Sequence, residues 1–495
     1  MTVSELIFSG EFTKDYGNIS IEIENIQRLS ENINNHTLFF DLYSKKKNRS
    51  KELFTIAKSK PKAIITEHEE DFINVKTPVF SVKNVRRAYS FAYSAFQKIN
   101  YSNLVFIGIT GTNGKTTTAS LLKSIFDGVG IKNGFIGTGK IISGNKVLTD
   151  INYSMTCPDP EVLYPAIKRI ENDNCEIIIM EVSSHALALE KVAPIPFQIG
   201  IFTGLSEEHM DFHNNMESYF QEKSKLFTNT KKAIINYDDV WGRRLYHSLG
   251  DKAEGIGVVY QSDNYALEVA LNGLTGSEYI YKSKTFASAI KLNIPGSHNI
   301  YNSMLAFAAA RSLGLLPKDI RDALAKVTAI DGRCERISRD INIIIDYAHT
   351  PMALESLLKT VKSNTIPGQN IILVFGCGGD RDKSKRPAMA KTAEKYCDRI
   401  VVTNDNPRTE NEVDIINDIT RGFEKSSYAV IQNREKAIIY AITSASRGDY
   451  VIIAGKGHEK YINDRNGYHY FNERDVINTA LETRERKSKN NENKA

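Results

Sequence analysis

Short apolar runs alternate with amphipathic stretches along most of the chain, and the alternation is clearest after residue 103. The first runs that predict buried strands are Leu104–Ile109, Glu176–Val182, Phe197–Phe202 and Lys232–Asn236. After the first of them, one helical face carries Leu121, Leu122, Ile125, Phe126 and Val129, and the helical pattern stops near Gly130. Strands that alternate with helices predict a parallel sheet covered by helices.

The second half of the chain contains two further patterns. Residues 260–295 are rich in Tyr, Thr, Ser and Val and predict antiparallel strands, and two helices follow at Asn299–Leu313 and Pro317–Val327. A boundary is predicted near Gly332, because strand-like runs separated by helical stretches start again beyond it. These runs are Ile343–Ile345, Ile371–Phe375, Ile400–Thr403, Ala429–Ile431 and Tyr450–Ala454. The first hundred residues mix short apolar runs with polar connectors and carry no clear motif.

Length and composition restrict the class of protein. The 495 residues suggest about three domains at roughly 150 residues each. A chain with 41% hydrophobic and 25% charged residues is neither disordered nor fibrous. The net charge of +5 requires no nucleic acid or membrane as a partner. Five scattered cysteines without a Cys-x-x-Cys pair argue against a disulfide scaffold and a structural zinc site. Neither a secretory signal nor an apolar run of membrane-spanning length is visible, so a cytoplasmic protein is expected.

A glycine-rich segment lies between the first predicted strand and helix. Residues Gly108–Thr117 read Gly-Ile-Thr-Gly-Thr-Asn-Gly-Lys-Thr-Thr. Glycines let backbone N–H groups approach phosphate oxygens, and the N-terminus of the helix adds a favourable dipole. Lys115 is suited to the β- and γ-phosphates and the Thr116 hydroxyl to Mg²⁺. Because Ile109 occupies the first glycine position of the usual phosphate loop, the segment predicts an ATP site of a variant kind.

Motifs further along the chain give a specific resemblance. Residues Thr110–Thr117 resemble the ATP loop of the Mur ligases, which build the peptide stem of the bacterial cell wall. The segments that resemble the remaining motifs of this family, in the same order, are Glu181–Leu187, Phe202–His213, Gly296–Asn299 with Asn302, Gly332–Arg333, Asp346–Pro351, Phe375–Asp382, Asp405–Arg408 and Gly455–Glu459. Within the family, the set is similar to the branch that adds the third residue of the stem.

The resemblance implies a fold and an ATP site. The fold class is α/β with three domains: a central P-loop ATPase-like α/β domain and a C-terminal Rossmann-like α/β domain follow an N-terminal domain that binds the UDP substrate. The expected boundaries are 1–98, 99–332 and 333–495. The residues implied in ATP binding are Gly111, Thr112, Asn113, Gly114, Lys115, Thr116, Thr117, Asn299, Asn302, Arg333 and Asp346. Asn299 and Asn302 would lie at the adenine.

The reaction of such ligases explains a set of metal-binding residues. ATP phosphorylates a carboxylate, and an amine then displaces the phosphate; each step moves negative charge that Mg²⁺ neutralises. By resemblance, Glu181 and His209 hold a magnesium ion, Thr116 binds one at the phosphate loop, and Lys223 is carbamylated. A carbamate offers the oxygen atoms that a hard cation prefers, whereas an ammonium repels it. Lys115, Lys223, Glu181 and His209 are therefore the expected catalytic set.

Four polar motifs follow directly on four apolar runs in the last third of the chain. In an open parallel sheet, this order places them all at the carboxyl ends of the strands, where ligands bind. Arg381 and Arg408 are planar forks suited to a carboxylate, whereas Asp405 and Glu459 are suited to an ammonium. The resemblance implies meso-diaminopimelate as the ligand, at Arg381, Asp405, Asn406, Pro407, Arg408, Gly455 and Glu459.

The site for the UDP-linked carrier departs from the family pattern. The usual Asp-Ser-Arg corresponds to Leu29-Ser30-Glu31, the usual Asn-Thr-Thr to Met155-Thr156-Cys157, and the usual Gln and Arg of the middle domain to Leu189 and Lys191. The residues that remain as candidates for the carrier are Ser30, Thr156, Cys157, Ser183 and Lys191.

Three functions remain open from the sequence. The first is ATP-dependent addition of meso-diaminopimelate to UDP-N-acetylmuramoyl-L-alanyl-D-glutamate through an acyl phosphate, in peptidoglycan synthesis. The second is the same ligation on a different carboxylate carrier. The third is a non-ligating ATP-binding switch, which the complete metal and amino-acid motifs disfavour.

Overall fold

The computed structural model describes residues 1–7, 9–43, 48–148, 155–208, 213, 215–338, 340–424 and 428–492. Its α-helices are α1 (Val3–Leu6), α2 (Arg49–Ser59), α3 (Val85–Phe96), α4 (Lys115–Gly128), α5 (Pro160–Asn172), α6 (Ser184–Ala188), α7 (Met216–Ser224), α8 (Val240–Leu249), α9 (His298–Ser312), α10 (Pro317–Leu324), α11 (Pro351–Lys362), α12 (Lys385–Tyr396), α13 (Glu412–Thr420), α14 (Arg434–Ser444) and α15 (Glu473–Glu492).

Most of the strands are short, between two and six residues long. They are β1 (Asn25–Gln27), β2 (Thr37–Phe40), β3 (Ala63–Thr66), β4 (Val79–Ser81), β5 (Val105–Thr110), β6 (Asn133–Gly137), β7 (Lys140–Ser143), β8 (Lys146–Val147), β9 (Ile177–Glu181), β10 (Phe197–Phe202), β11 (Lys232–Asn236), β12 (Ala253–Gly257), β13 (Asn264–Leu271), β14 (Ser277–Lys282), β15 (Ala287–Leu292), β16 (Glu335–Ser338), β17 (Asn342–Asp346), β18 (Ile371–Phe375), β19 (Arg399–Val402), β20 (Tyr428–Val430), β21 (Tyr450–Ala454), β22 (Tyr461–Asp464) and β23 (Gly467–Tyr470).

The chain forms two compact units. The first contains residues 1–110, 130–200 and 221–233, and the second contains residues 111–129, 201–220 and 234–495. The predicted domain boundaries at residues 98 and 332 stay predictions.

The first unit begins with a parallel sheet of four strands in the order β1-β2-β3-β4. Every residue of β2 and β3 is buried, and α1 and α3 contribute Val3, Leu6 and Tyr89 to the same core. The sequence analysis found no motif here, because strands of three or four residues are too short to show a period.

A second group of strands in the first unit has the order β10-β5-β9-β6-β7-β8. β5, β9 and β6 are parallel; β5 and β9 were predicted from their apolar runs, whereas β6 was not. β6, β7 and β8 form an antiparallel meander that the sequence analysis missed. Glu181 is the last residue of β9 and therefore lies at the carboxyl edge of these parallel strands.

In the second unit, β13, β14 and β15 are antiparallel, which confirms the prediction for residues 260–295. The predicted helices near 299–313 and 317–327 are α9 and α10. α9 is buried along most of its length, and its alanines allow close packing against α4.

The second unit also contains a six-stranded sheet in the order β16-β17-β21-β18-β19-β20. The five strands predicted beyond residue 332 form it and are parallel, as expected. β16 joins as an antiparallel edge strand, and a hairpin of β22 and β23 follows the sheet; neither was predicted. Hydrophobic clusters lie on both faces, against α11–α13 on one face and α14–α15 on the other.

Among the described helices, none combines the length and the apolar character that crossing a bilayer requires.

Candidate active site

The phosphate loop in the second unit is held in a fixed shape by its own hydrogen bonds. Lys115, the first residue of α4, donates from Nζ to the carbonyl oxygens of Gly111 (2.9 Å) and Thr112 (2.8 Å). The Thr112 N–H donates to Gly204 O (2.9 Å), and the Thr203 hydroxyl donates to Asn113 O (2.5 Å). The lysine thus curls over the loop, with its ammonium where an anion bound by the loop would meet it.

Two glycines of the loop are required by space as well as by conformation. Gly111 and Gly114 have positive φ angles of 143° and 89°. A Cβ at Gly111 would lie 2.0 Å from Thr203 Oγ1, and one at Gly114 would lie 2.5 Å from Asn302 Oδ1. Any side chain there would displace the loop or its support.

The two asparagines predicted at the adenine lie directly behind this loop. Asn299 and Asn302 are buried; Asn299 Nδ2 donates to Pro295 O (2.7 Å), and Asn302 Nδ2 donates to Asn299 Oδ1 (2.9 Å). Asn302 Oδ1 accepts from the Thr118 hydroxyl (3.3 Å). These internal bonds brace the start of α4.

Arg333 reaches the other side of the phosphate loop. Its Nη2 donates to Thr116 Oγ1 (3.2 Å), and its guanidinium carbon lies 4.6 Å from the centre of the Tyr347 ring. Nε is buried and has no hydrogen-bond partner among the described residues. Asp346 lies nearby in sequence, but its carboxylate accepts the N–H groups of Cys334 and Ala348, both at 2.7 Å.

An open cavity of about 270 Å³ lies beside the loop. Its lining includes Thr112, Asn113, Thr203, Asn236, Asp239 and Tyr301. Asn113 Nδ2 is buried without a hydrogen-bond partner in the described part of the chain. Burial raises the pKa of Asp239 despite the N–H groups of Gly242 and Leu205 that its carboxylate accepts. The cavity therefore offers hydrogen-bond donors and acceptors next to the phosphate loop. Asn236 and Asp239 were not identified from the sequence.

Two of the residues predicted to bind magnesium, Glu181 and Lys223, are buried. Glu181 is fully buried, and its carboxylate accepts from the N–H (3.4 Å) and the hydroxyl (3.3 Å) of Thr138. A Cβ at Gly137 would lie 2.3 Å from Glu181 Oε1, so the missing side chain makes room for this carboxylate. Lys223 on α7 is 2% exposed, and burial of an ammonium is costly, which suits a carbamate.

His209 lies outside the described residues. Among the residues that are described, no three His, Cys, Asp or Glu side chains form a metal-binding group. The buried carboxylate of Glu181 nevertheless supplies the oxygen atoms that a hard cation prefers.

The candidates for the carrier lie in the first unit. Ser30 begins a single-turn 3-10 helix, and the Ser183 hydroxyl caps α6 by accepting the N–H of Ala186 (3.2 Å). The Thr156 hydroxyl accepts from Thr138 (3.3 Å), and Cys157 is buried, which raises the pKa of its thiol to about 12.

Lys191 takes part in an ion-pair network that the sequence did not reveal. Its Nζ lies 2.6 Å from Asp159 Oδ1, and only 5% of the residue is exposed. Arg28 donates to Asp159 Oδ2 (2.9 Å) and to Glu161 Oε1 (2.8 Å). Two cations and two carboxylates thus balance one another, and the two carboxylates follow closely on Thr156 and Cys157 in sequence.

The four motifs of the last third of the chain lie at one edge of the six-stranded sheet, as predicted. Asp346 ends β17, and the segments 376–382, 404–408 and 455–459 follow β18, β19 and β21, which are neighbours in the sheet. Asn406 Nδ2 donates to Glu459 Oε2 (2.8 Å), and Glu459 Oε1 accepts from the Tyr347 hydroxyl (3.4 Å). Of the predicted amino-acid residues, Asn406 and Glu459 are therefore in direct contact.

Arg408 lies at the same edge, whereas Arg381 is exposed. Arg408 Nη1 donates to Gly379 O (2.6 Å) and Asn406 O (3.4 Å), both carbonyl oxygens rather than carboxylates. Its positive φ of 53° turns the chain at this point, after Pro407. Arg381 Nη1 donates to Asp380 O (3.1 Å).

A buried lysine stands among these residues, and the sequence analysis gave it no role. Lys456 is fully buried, and its Nζ donates to Asn406 Oδ1 and Glu459 Oε2, both at 3.0 Å. Burial alone would raise the pKa of Asp405, but the positive charges of Lys456 and Arg434 outweigh it and hold that pKa below its ordinary value. The only sign of Lys456 in the sequence was its position between Gly455 and Gly457 in the last motif.

Comparison with known proteins agrees with this geometry. Residues 109–310 match the family described as the Mur ligase middle domain, and residues 332–457 match the family described as the Mur ligase glutamate ligase domain.

Curated relatives match nearly the whole chain. The protein named UDP-N-acetylmuramoyl-L-alanyl-D-glutamate--2,6-diaminopimelate ligase from Clostridium tetani is 35% identical over 488 residues, covering 97% of this chain and 99% of its own. The protein of the same name from Clostridioides difficile is 36% identical over 495 residues, with the same coverage.

A solved structure titled as a UDP-N-acetylmuramoyl-L-alanyl-D-glutamate--2,6-diaminopimelate ligase has a TM-score of 0.66 and 26% identity, and covers 98% of this chain and 99% of its own. Folylpolyglutamate synthase from Mycobacterium tuberculosis, at 17% identity and a TM-score of 0.64, shares the fold over 74% of this chain and 91% of its own.

Proposed function

Because the chain belongs to the Mur ligase family, we propose that it joins meso-2,6-diaminopimelate to UDP-N-acetylmuramoyl-L-alanyl-D-glutamate with ATP. The observation that carries this proposal is that Asp405, Asn406, Arg408 and Glu459 lie at one edge of the six-stranded sheet, where Asn406 is bonded to Glu459. An amino acid with a carboxylate and an ammonium at each end matches such a site.

ATP binds at the phosphate loop of the second unit. Residues 111–117 and the N-terminus of α4 receive the phosphates, and the Lys115 ammonium exchanges its two carbonyl acceptors for phosphate oxygens. Arg333 Nε and Asn113 Nδ2, which are buried without a hydrogen-bond partner among the described residues, are further donors for the nucleotide. Asn299 and Asn302 hold the loop in shape, and the cavity lined by Asn236 and Asp239 is where the base fits.

The residues that would hold Mg²⁺ are Thr116 for the ion at the phosphate loop, and Glu181, His209 and Lys223, as its carbamate, for a second ion. A magnesium ion bound there would offset the negative charge that builds up on phosphate and carboxylate oxygens. The buried Glu181 carboxylate in the space beside Gly137 supports this assignment.

The two bond-forming steps follow the chemistry of the family. A carboxylate oxygen of the carrier attacks the γ-phosphorus of ATP and ADP leaves; the amine then attacks the acyl carbon and phosphate leaves, with loss of a proton from nitrogen. In this chain, Lys115 orients the γ-phosphate, while Asp405, Glu459 and Arg408 hold the amino acid so that its other end is free to react.

The carrier would bind to the first unit through Ser30, Thr156, Cys157, Ser183 and Lys191. Lys191 is the cation suited to a carboxylate of the carrier peptide, but it is already paired with Asp159 at 2.6 Å. The carrier must therefore compete with, or add to, this pair. The division into domains of residues 1–98, 99–332 and 333–495 is part of the proposal.

A product mass assay tests the proposal. The enzyme is incubated with ATP, Mg²⁺ and the UDP-muramoyl dipeptide, with meso-diaminopimelate, L-lysine or no amino acid. We expect a tripeptide product with diaminopimelate and little or none with lysine, because lysine leaves Arg408 without a carboxylate. Absence of product with either amino acid, from protein that still binds ATP, contradicts the proposed function.

A second candidate is the same ligation on a different carboxylate carrier. Lys191 and Arg28 both pair with Asp159, and these ion pairs concern only the proposed carrier site. The ATP and amino-acid motifs are unaffected, which favours ligation on a different carrier over a non-ligating switch. ATP turnover that requires diaminopimelate but not the UDP-muramoyl dipeptide, once other carboxylates are supplied, would identify it.

A further inference from the structure

The buried lysine of the amino-acid site is bonded into a closed triangle of side chains. Lys456 Nζ donates to Asn406 Oδ1 and Glu459 Oε2, and Asn406 Nδ2 donates to the same Glu459 Oε2. Asn406 Oδ1 also accepts the N–H of Asn463 (2.9 Å), which ties the triangle to the β22–β23 hairpin. Glu459 Oε2 therefore has two donors, whereas Oε1 accepts from the Tyr347 hydroxyl.

Oε1 is weakly engaged by comparison. Its acceptor bond from the Tyr347 hydroxyl is 3.4 Å long, against 2.8 Å and 3.0 Å for the two bonds to Oε2. Carboxylate oxygens accept more than one hydrogen bond, so Oε1 has the capacity for an ammonium. The triangle thus fixes which oxygen of Glu459 is presented.

Lys456 also sets the charge of the site. Asp405 and Glu459 are two anions, and Lys456 and Arg408 are two cations, so the four groups sum to zero. The neighbouring ion pair of Arg434 and Glu473 is itself balanced, at 2.7 Å. A neutral site suits an amino-acid end that carries both an ammonium and a carboxylate, whereas a site without Lys456 would be anionic and would suit an ammonium alone.

We propose that Lys456 is a positioning residue that determines specificity: it fixes Glu459 and neutralises the acidic pair, so that the site selects a zwitterionic amino-acid end over a purely cationic one. The lysine is fully buried and acts through Asn406 and Glu459 rather than by touching the substrate. The inference rests on the proposed function, since it concerns the amino acid that this site selects.

The experiment compares the full-length enzyme with Lys456→Met, Lys456→Arg and Lys460→Met. Lys460 is an exposed lysine four positions away and serves as the matched control. The measurements are the KM for diaminopimelate, the KM for ATP, and the ratio of products when diaminopimelate and L-lysine compete. For Lys456→Met we expect a KM for diaminopimelate raised about tenfold or more, an ATP KM within about twofold, and a preference for diaminopimelate over lysine reduced about tenfold.

Lys456→Arg keeps the charge and should keep most of the preference, even where its size raises the KM. Lys460→Met should match the wild type in all three measurements. A folded Lys456→Met enzyme with unchanged KM and unchanged preference would overturn the inference. If the wild type makes no diaminopimelate product at all, the proposed function fails instead, so the two failures are distinguishable.

A double variant covers the case in which Lys456→Met does not fold. Lys456→Met combined with Glu459→Gln removes one charge of each sign and leaves Asp405 and Arg408 balanced. The preference for diaminopimelate should then be retained while its KM stays high, because charge balance is restored but the acceptor is lost. A double variant that prefers lysine would contradict the charge argument.

Discussion

At the scale of single residues, Lys115 is the side chain on which ATP use depends most directly. Its ammonium lies over the phosphate loop, bonded to Gly111 O and Thr112 O, and no other cation starts α4. Lys115→Ala should lower the rate of ATP-dependent ligation by about a thousandfold or more, because the γ-phosphate loses its charged partner. The check is ADP release coupled to product formation, with Lys123→Ala on the same helix as the control. Lys123 pairs with Asp127 and should have no effect; retained activity in Lys115→Ala would refute the assignment.

Arg408 carries the prediction for the other substrate. Its guanidinium is bonded to backbone carbonyl oxygens, and it lies three residues after Asp405 at the same edge of the sheet. Arg408→Ala should raise the KM for diaminopimelate about a hundredfold and leave the KM for ATP almost unchanged, because one carboxylate partner is lost.

The control for this substitution is Arg421→Ala, since Arg421 is 74% exposed and pairs only locally with Asp418. Steady-state kinetics with each substrate varied in turn separates the two KM values. Equal changes in both would mean that Arg408 supports the fold instead of binding the amino acid.

The role and place of a residue could be predicted where a short segment contains both the reactive side chain and the motif that positions it. Lys115 and Thr116 follow a glycine loop, so their place at the start of a helix could be predicted. The pairing of Lys191 with Asp159 could not, because the partners are 32 positions apart and nothing in the pattern joins them. The burial of Lys456 was equally hidden, although the β22–β23 hairpin that contacts it follows closely in sequence, with the Tyr461 ring centre 5.4 Å from Lys456 Nζ.

At the scale of elements, the junction between the phosphate loop and α4 offers a steric test. Gly114 and Gly130 both have positive φ angles, 89° and 78°, but an added Cβ would meet Asn302 Oδ1 at 2.5 Å in the first case and nothing within 4 Å in the second. Gly114→Ala should therefore weaken ATP binding about tenfold or more, beyond the cost of about 1 kcal/mol that the left-handed conformation adds at either position.

Gly130→Ala isolates the conformational cost, because it lies just after the same helix without a clash. Isothermal titration with ATP and a thermal melt of each variant give the two quantities. Equal ATP affinities would mean that the loop has room to relax around a side chain.

A buried arginine links two helices and the loop between β19 and α13, and it predicts a pH dependence. Arg386 on α12 is fully buried and bonds to Glu410 and to Asp418 on α13. The Arg386 hydrogen bond lowers the pKa of Glu410 from 4.5 to about 2. A carboxyl whose pKa is lower in the folded state stabilises it above the unfolded pKa, so this contribution should be lost as the pH falls from about 5 to about 2.

Glu410→Gln should lower the melting temperature at pH 7 and flatten its decline between about pH 5 and pH 3. Glu424→Gln is the control, because Glu424 is 77% exposed and lies 3.8 Å from Lys391. Thermal melts at pH 7, 5 and 3 make the comparison. Parallel curves for Glu410→Gln and the wild type would rule out this carboxyl as a source of acid sensitivity.

Long apolar runs made the elements predictable, and short or half-exposed runs did not. β10, β18 and β21 were predicted with their observed bounds, because every residue of β18 and β21 is buried and the run reads as continuous. β8 and β23 are largely exposed and two or four residues long, so they leave no periodic signal. β16 was missed because it has only four residues, Glu-Arg-Ile-Ser, and contains no apolar run.

In the whole molecule, the predicted binding sites for different substrates belong to different units. The second unit contains the phosphate loop and the amino-acid edge, and its motifs fall where the pattern of strands put them. The first unit contains the candidates for the carrier, and there the sequence departs from the family while the structure shows an internal ion-pair network. The Mur ligase assignment is therefore supported along nearly the whole chain, whereas the identity of the carrier rests on the proposal.

The intermediate of the reaction separates ligation from mere ATP hydrolysis for the molecule as a whole. If the carrier carboxylate is phosphorylated first, the enzyme with ATP and the UDP-muramoyl dipeptide but no diaminopimelate should hold an acyl phosphate. Hydroxylamine attacks an acyl phosphate at carbon and expels phosphate, which leaves a hydroxamate of the carrier that mass spectrometry detects. We expect this hydroxamate to form in step with ADP, and to be absent from Lys115→Ala, because that variant cannot position the γ-phosphate. ADP release without hydroxamate, at a rate that the dipeptide does not change, would instead describe an ATP-hydrolysing switch, and the carboxylate would have to be abandoned as the acceptor of the phosphoryl group.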